Sequence, residues 1–187
     1  MSPFIGEFAG TALLITMGCG VVANVLLTGS KGQNSGWIVI TFGWGMAVFL
    51  GVYSSTSLGG SGHLNPAVTI ALTATGQFDA DMLPVYLMAQ FAGAIAGATI
   101  AWLAYFQHFA ATADKDLKLA VFCNAPAIRS VLPNLITEII GSFLLMFGAL
   151  AMSKPTNTLG TLDALPVGLL VLGIGLSIDG ISGGTTN

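Results

Sequence analysis

From Phe4 to Leu27 the chain carries a single charge, Glu7. A run of that length and apolarity is a transmembrane helix candidate, since about 20 apolar residues cross a bilayer core. Further runs of this kind cover Gly36–Tyr53, Leu83–Phe106 and Asn134–Met152, and another begins at Pro166 and extends to about Ile178. Segments this long and this continuously apolar give an all-α membrane protein of five spans. The first run has no basic leader and no small-residue cleavage site, so it reads as a retained helix.

One segment departs from that pattern. In Ser61-Gly-His-Leu-Asn-Pro-Ala-Val-Thr69 a relaxed loop runs straight into a short apolar helix. Asn65 is an N-cap residue, and Pro66 takes the first helical position, where its missing N–H costs nothing. Thr75-Gly76 ends the helix, leaving a half-helix over 65–75 of roughly 12–15 Å. Irregular backbone at membrane depth is tolerated only where it lines a cavity or is wrapped in protein, which points to a pore or transport site. Asn65 can cap the half-helix with its oxygen and donate its amide N–H groups into a pore. The carbonyls of Ser61, Gly62, His63 and Leu64 would form a ladder of acceptors before it. The positive end of the half-helix disfavours cations and protons, so this arrangement suits water or a small polyhydric solute.

A repeat underlies the spans. Glu7-x-x-Gly10-Thr11-x-Leu13-Leu14 matches Glu138-x-x-Gly141-Ser142-x-Leu144-Leu145 at a constant offset. Residues 1–106 form one unit of three spans plus the half-helix, and 134–187 form a second, incomplete one. An odd number of spans per unit implies insertion in opposite orientations, an inverted repeat. On this symmetry the chain is expected to lack a second half-helix and a last span. Glu7 and Glu138, ionisable groups inside apolar helices, are expected to accept hydrogen bonds from unpaired N–H groups of the re-entrant loops, as scaffold. Gly93-x-x-x-Gly97 is a weak signal for close helix packing. Gly18-Cys-Gly20 is read as helix packing, and His63 as a loop-packing histidine.

Composition excludes other classes. The chain is 54% hydrophobic and 7% charged, with net charge −3 and only five Lys+Arg. It has no basic patch for nucleic acid. Cys19 and Cys123 show no metal spacing. No nucleophilic triad, paired carboxylate or phosphate loop is present, so neither catalysis, metal nor cofactor is expected.

The Asn65-Pro66-Ala67 context, the Glu7-Phe-Ala-Gly-Thr opening and the Glu138 repeat resemble the aquaporin superfamily, and more narrowly the bacterial glycerol facilitators. Gly36-Trp-Ile-Val-Ile-Thr-Phe-Gly-Trp44-Gly is similar to their second span, and Gly183-Gly-Thr-Thr186 to the loop before their second Asn-Pro-Ala. The resemblance implies a right-handed bundle with two re-entrant half-helices, one pore per subunit, and a homotetramer in the cell membrane. Trp44, with Phe42 as rival, and Gly175 would belong to the selectivity filter, with Ile178-Asp-Gly-Ile181 an insertion in the adjoining loop. No histidine lies in the fifth span, which favours passage of glycerol and other small polyols, with water, over water alone. The family's filter arginine and second Asn-Pro-Ala are absent. Asn187 would begin that second motif, or the motif would follow a few residues later. Lys31, Lys115, Lys118 and Arg129 lie in connections that a positive-inside count would put in the cytoplasm, whereas the resemblance implies a cytoplasmic N-terminus. Alternatives are a water-selective channel, an inverted-repeat secondary transporter, and an inactive membrane fragment.

Overall fold

A computed structural model describes residues 2–152 and 160–184. Asn187, Thr185, Thr186 and Lys154 lie outside these. The described residues contain four helices long and apolar enough to cross a membrane: Pro3–Leu26, Trp37–Ser57, Ala80–Ala104 and Val131–Met152.

Helix α1 (Pro3–Leu26) starts where Ser2 accepts from the Ile5 N–H and Pro3 fills the first turn. Helix α2 (Trp37–Ser57) extends one turn beyond the expected Tyr53. In its last turn the Thr56 hydroxyl donates back to the Val52 and Tyr53 carbonyls, each at 3.0 Å. Helix α3 (Pro66–Ala74) is the half-helix, nine residues long, or about 14 Å at 1.5 Å per residue. Helix α4 (Leu83–Ala104) follows a 3-10 turn at Ala80–Met82.

The connection from about 107 to 133 is more structured than its polar composition suggests. It holds α5 (Phe106–Ala111) and α6 (Lys115–Ala120). Asp114 caps α6 by accepting from the Asp116 and Leu117 N–H groups at 2.8 and 3.3 Å. Helix α7 (Val131–Met152) is the fourth long helix, and α8 (Leu165–Ser177) is shorter at 13 residues. Ile178-Asp-Gly-Ile181, expected as a loop insertion, instead opens a further turn, α9 (Asp179–Ser182).

Backbone-to-backbone packing sets the frame. Helix α4 lies on α1 at Gly93 and Gly97, where an added Cβ would stand 2.5 Å from the carbonyl oxygens of Phe8 and Ala12. Helices α2 and α8 cross at Gly45 and Gly168. A Cβ on Gly45 would meet Gly168 O at 3.0 Å and Leu172 Cβ at 2.9 Å; one on Gly168 would meet Gly45 O and Phe49 Cβ, both at 2.8 Å. Exchanging 45 with 168 and 49 with 172 maps this contact set onto itself. The two helices run in opposite directions, so the exchange is the local signature of a twofold axis in the membrane plane. Large apolar side chains cover the outer surfaces, among them Ile95, Phe143 and Phe147, exposed by 70, 62 and 62%. That is the distribution for a surface solvated by lipid.

Candidate functional site

The loop before α3 is held from behind by one carboxylate. Glu7 is wholly buried, and Gly6 and Gly10 on the same helix face let α1 approach the loop closely. A Cβ on Gly6 would stand 2.2 Å from Gly60 N, and one on Gly10 2.8 Å from Leu64 Cδ2. Four donors converge on Glu7. Oε1 accepts from Ser55 Oγ and the His63 N–H, each at 3.1 Å. Oε2 accepts from the Leu64 N–H at 2.9 Å and Gln90 Nε2 at 3.0 Å. Two otherwise orphaned backbone donors of the re-entrant loop are thereby paired inside the bundle.

That pairing shapes the backbone. Gly62 has φ +72° and Leu64 φ +52°. A left-handed leucine is strained, by about 1–3 kcal/mol, and it persists because Leu64 is buried and its N–H is fixed on Glu7. Asn65 follows in extended conformation, φ −145°, and its Oδ1 accepts from the Ala67 N–H at 2.8 Å. None of the carbonyls of residues 61–64 accepts a hydrogen bond from the described residues.

A second layer ties the half-helix to α4. Gln90 Nε2 also donates to Thr69 Oγ1 at 2.9 Å, and Thr69 Oγ1 lies 3.1 Å from Asn65 O and 3.2 Å from His63 Nδ1. The His63 ring packs between Phe78 and Tyr86, with centroids 4.7 and 5.1 Å away, and Tyr86 OH meets Ser61 Oγ at 2.8 Å. His63 is thus part of the loop's packing as well as of its surface.

A cavity of about 1550 Å³ runs past this loop. Ser61, Gly62, His63, Leu64, Asn65 and Pro66 line it; Ala67 does not, and is exposed elsewhere. Trp44 and Gly175 also line it, while Phe42 points outward, 57% exposed. The Trp44 ring lies across Gly18, where an added Cβ would stand 2.3 Å from Cζ3. Gly175 is fixed by Trp37, whose Nε1 donates to its carbonyl at 2.9 Å. The end of the cavity near Gly175 is roofed by the 121–125 segment and flanked by Asp116 and Arg129. The opposite end is bordered by Gln77, Phe78 and Asp163. Among the described residues no His, Cys, Asp and Glu cluster could hold a metal ion.

Glu138 sits half-buried on α7 with no hydrogen bond to the described residues. Sequence reasoning overlooked Ser55, Thr69 and Gln90. Gln90 carried a usable signal, being a polar group inside an otherwise apolar span, whereas Ser55 lies in a polar Ser/Thr run beyond Tyr53, where that span was expected to end.

Residues 1–187 match the family described as Major intrinsic protein. The chain is 50% identical over 187 residues to the "Probable glycerol uptake facilitator protein" of Thermotoga maritima, covering all of this chain and 79% of the relative. It is 44% identical to the "Glycerol uptake facilitator protein" of Bacillus subtilis, covering all of this chain and 68% of the relative. The X-ray structure of the aquaglyceroporin from Plasmodium falciparum superimposes with a TM-score of 0.80 at 30% identity, over 97% of this chain and 74% of that one.

Proposed function

The chain belongs to the major intrinsic protein family, and from that premise we propose that it is a passive transmembrane channel for glycerol and other small uncharged solutes. Relatives named as glycerol facilitators at 44 to 50% identity support the substrate class. The single observation that carries the reading is the re-entrant loop itself. Its N–H groups are turned inward onto Glu7, while its carbonyls, beside the cavity, accept no hydrogen bond from the described residues. A row of carbonyl acceptors on one wall and apolar side chains such as Val48, Val68 and Val171 on the others match a solute with hydroxyls along one edge and carbons along the other.

In this reading Asn65 donates to the passing solute while Pro66 and Ala67 continue the half-helix behind it. Trp44 and Gly175 form the narrow filter, Trp44 packing the solute's carbons and Gly175 leaving room beside it. Glu7 is the scaffold of the loop, and Glu138 serves the equivalent place in the second unit. Water passes with the solute. Ions and protons are turned back by the positive end of α3, which carries roughly half an elementary charge. The protein works as a homotetramer in the cell membrane with its N-terminus in the cytoplasm, and residues 1–106 and 134–187 are its two related units.

The test is stopped-flow light scattering on proteoliposomes of this chain under a glycerol gradient, beside empty liposomes and a Trp44→Ala variant. Re-swelling faster than in empty liposomes, altered by the substitution, supports the channel. Re-swelling no faster than in empty liposomes refutes conduction by this chain.

A further inference from the structure

The chain carries two cysteines, Cys19 and Cys123, that the channel reading leaves without a task. Folding brings both to the wall of the same cavity. Cys19 sits on α1 just past Gly18, 5% exposed, in an apolar cluster with Val22, Ile40, Phe109 and Val121. Val121 belongs to the segment that roofs the Gly175 end of the cavity. Cys123 stands two residues further on, exposed, with its N–H donating to Leu119 O at 2.9 Å. The roof therefore rests on the part of α1 that carries Cys19, and the two sulfurs are near enough for their charges to interact. Both are free thiols. One is shielded among apolar side chains, the other is open to solvent, and the path runs past both.

Resting on the channel reading, we propose that Cys19 and Cys123 form a redox modification site at the mouth of the pore, where oxidation by a small disulfide links them and pins the roofing segment across the path. The cytoplasmic N-terminus of that reading puts the C-terminal part of α1, and this mouth with it, on the outer side, where disulfides persist. Cys123 reacts first, because its exposure lets its thiolate meet the reagent. Its sulfur bonds to one sulfur of the small disulfide, the reagent's S–S bond breaks, and one thiolate leaves. Cys19 then gives its proton to cavity water, and its sulfur bonds to Cys123 Sγ, displacing the second thiolate. Each departing thiolate takes up a proton. The cysteine pair thus loses two electrons, and the reagent is reduced to two thiols. Excess dithiol reverses both steps. A disulfide holds its Cβ atoms about 3.8 Å apart, so the bond draws 121–125 onto α1, beside the Trp44 ring that packs on the same cluster, and narrows the entrance.

The probe is hydroxyethyl disulfide, small and uncharged, applied to this chain in proteoliposomes. Peptide mass spectrometry should find Cys19 joined to Cys123 within one chain, with no reagent retained. Cys19→Ser should instead keep the mixed disulfide on Cys123, and Cys123→Ser should stay unmodified. Two free thiols in the treated parent, reagent retained on its Cys123, a link between two chains, or reaction at Cys19 in Cys123→Ser overturns the proposal. Amide hydrogen exchange at 121–125 should slow at least tenfold on oxidation and recover with dithiothreitol, and unchanged exchange overturns the pinning. Glycerol flux should fall at least fivefold in the oxidised parent, with no response to the reagent in Cys123→Ser; undiminished flux in the linked parent overturns the closure. A reduced parent that conducts no glycerol refutes the channel reading, while mass spectrometry and hydrogen exchange still decide the thiol pair.

Discussion

Replacing Glu7 with glutamine changes one oxygen into an NH₂ and leaves shape almost untouched, so it tests the loop's support directly. Every group that meets the side chain is positioned to donate: Ser55 Oγ, His63 N, Leu64 N and Gln90 Nε2. The new NH₂ must face one of two pairs. On the Oε1 side, Ser55 can rotate its hydroxyl, but the His63 N–H then has no acceptor. On the Oε2 side, Gln90 can flip its amide, because its Oε1 is buried without a partner, but the Leu64 N–H is then stranded. Either way one buried backbone donor is lost, at about 1–3 kcal/mol, and the remaining bonds to an amide are weaker than those to a carboxylate.

Interhelical hydrogen bonds in membranes are worth less than this when taken singly, averaging about 0.6 kcal/mol, because the unfolded reference also finds partners. Here the stranded donor belongs to a strained loop rather than to an intact helix. We therefore expect Glu7→Gln to destabilise the chain by about 2–4 kcal/mol, measured by denaturant titration in micelles. Glu138→Gln, on a side chain with no partner among the described residues, should change stability by less than about 0.5 kcal/mol. Glycerol flux in proteoliposomes should fall with Glu7→Gln, since the carbonyls of 61–64 take their direction from N–H groups held on Glu7. Glu7→Gln within about 0.5 kcal/mol of the parent would refute the idea that this carboxylate shapes the loop.

Three further outcomes follow from the packing. Gln90→Leu conserves volume but removes the donor shared by Glu7 and Thr69, and denaturant titration should show a loss of about 1–3 kcal/mol. Gly45→Ala places a methyl 3.0 Å from Gly168 O and should cost about 1–3 kcal/mol; adding Gly168→Ala at the same crossing should cost less than the two singles combined, a non-additivity that a double-mutant cycle reads. Gly18→Ala would put a methyl into the Trp44 ring and push the indole into the cavity. The glycerol-to-water permeability ratio should drop severalfold, and an unchanged ratio would show that Trp44 does not narrow the path.

Much of the bundle could be read from apolar run length, because a bilayer imposes one dimension on every span. The half-helix was legible for a different reason: Asn65, Pro66 and Thr75-Gly76 are local start and stop signals whose chemistry does not depend on the rest of the fold. The α5 and α6 turns were not legible. Their six-residue length is too short for periodicity, and the Asp114 cap was not singled out in the polar connection. Nor was the partner set of Glu7. A carboxylate in an apolar helix announces that donors must be near, but Ser55 and Gln90 lie 48 and 83 residues away, and only the packed geometry brings them together. The α9 turn at Asp179 escaped for the same reason, being held by a bond from the Ala127 N–H to Ile181 O, 54 residues away in sequence.

The glycines connect these observations. A loop with two buried N–H groups and a left-handed leucine could not hold its shape on a half-helix alone, because nine residues supply too little surface to lock it. What locks it is the closeness of α1, and that closeness depends on missing side chains at Gly6 and Gly10 towards the loop and at Gly93 and Gly97 where α4 bears on α1. With these positions empty, Glu7 and Gln90 reach the loop from two helices at once. In lipid, where apolar surfaces gain little by associating, such backbone contact and the hydrogen bonds it permits are what drive assembly. The same contact that holds the bundle together therefore turns the loop's donors inward and leaves its acceptors for the solute.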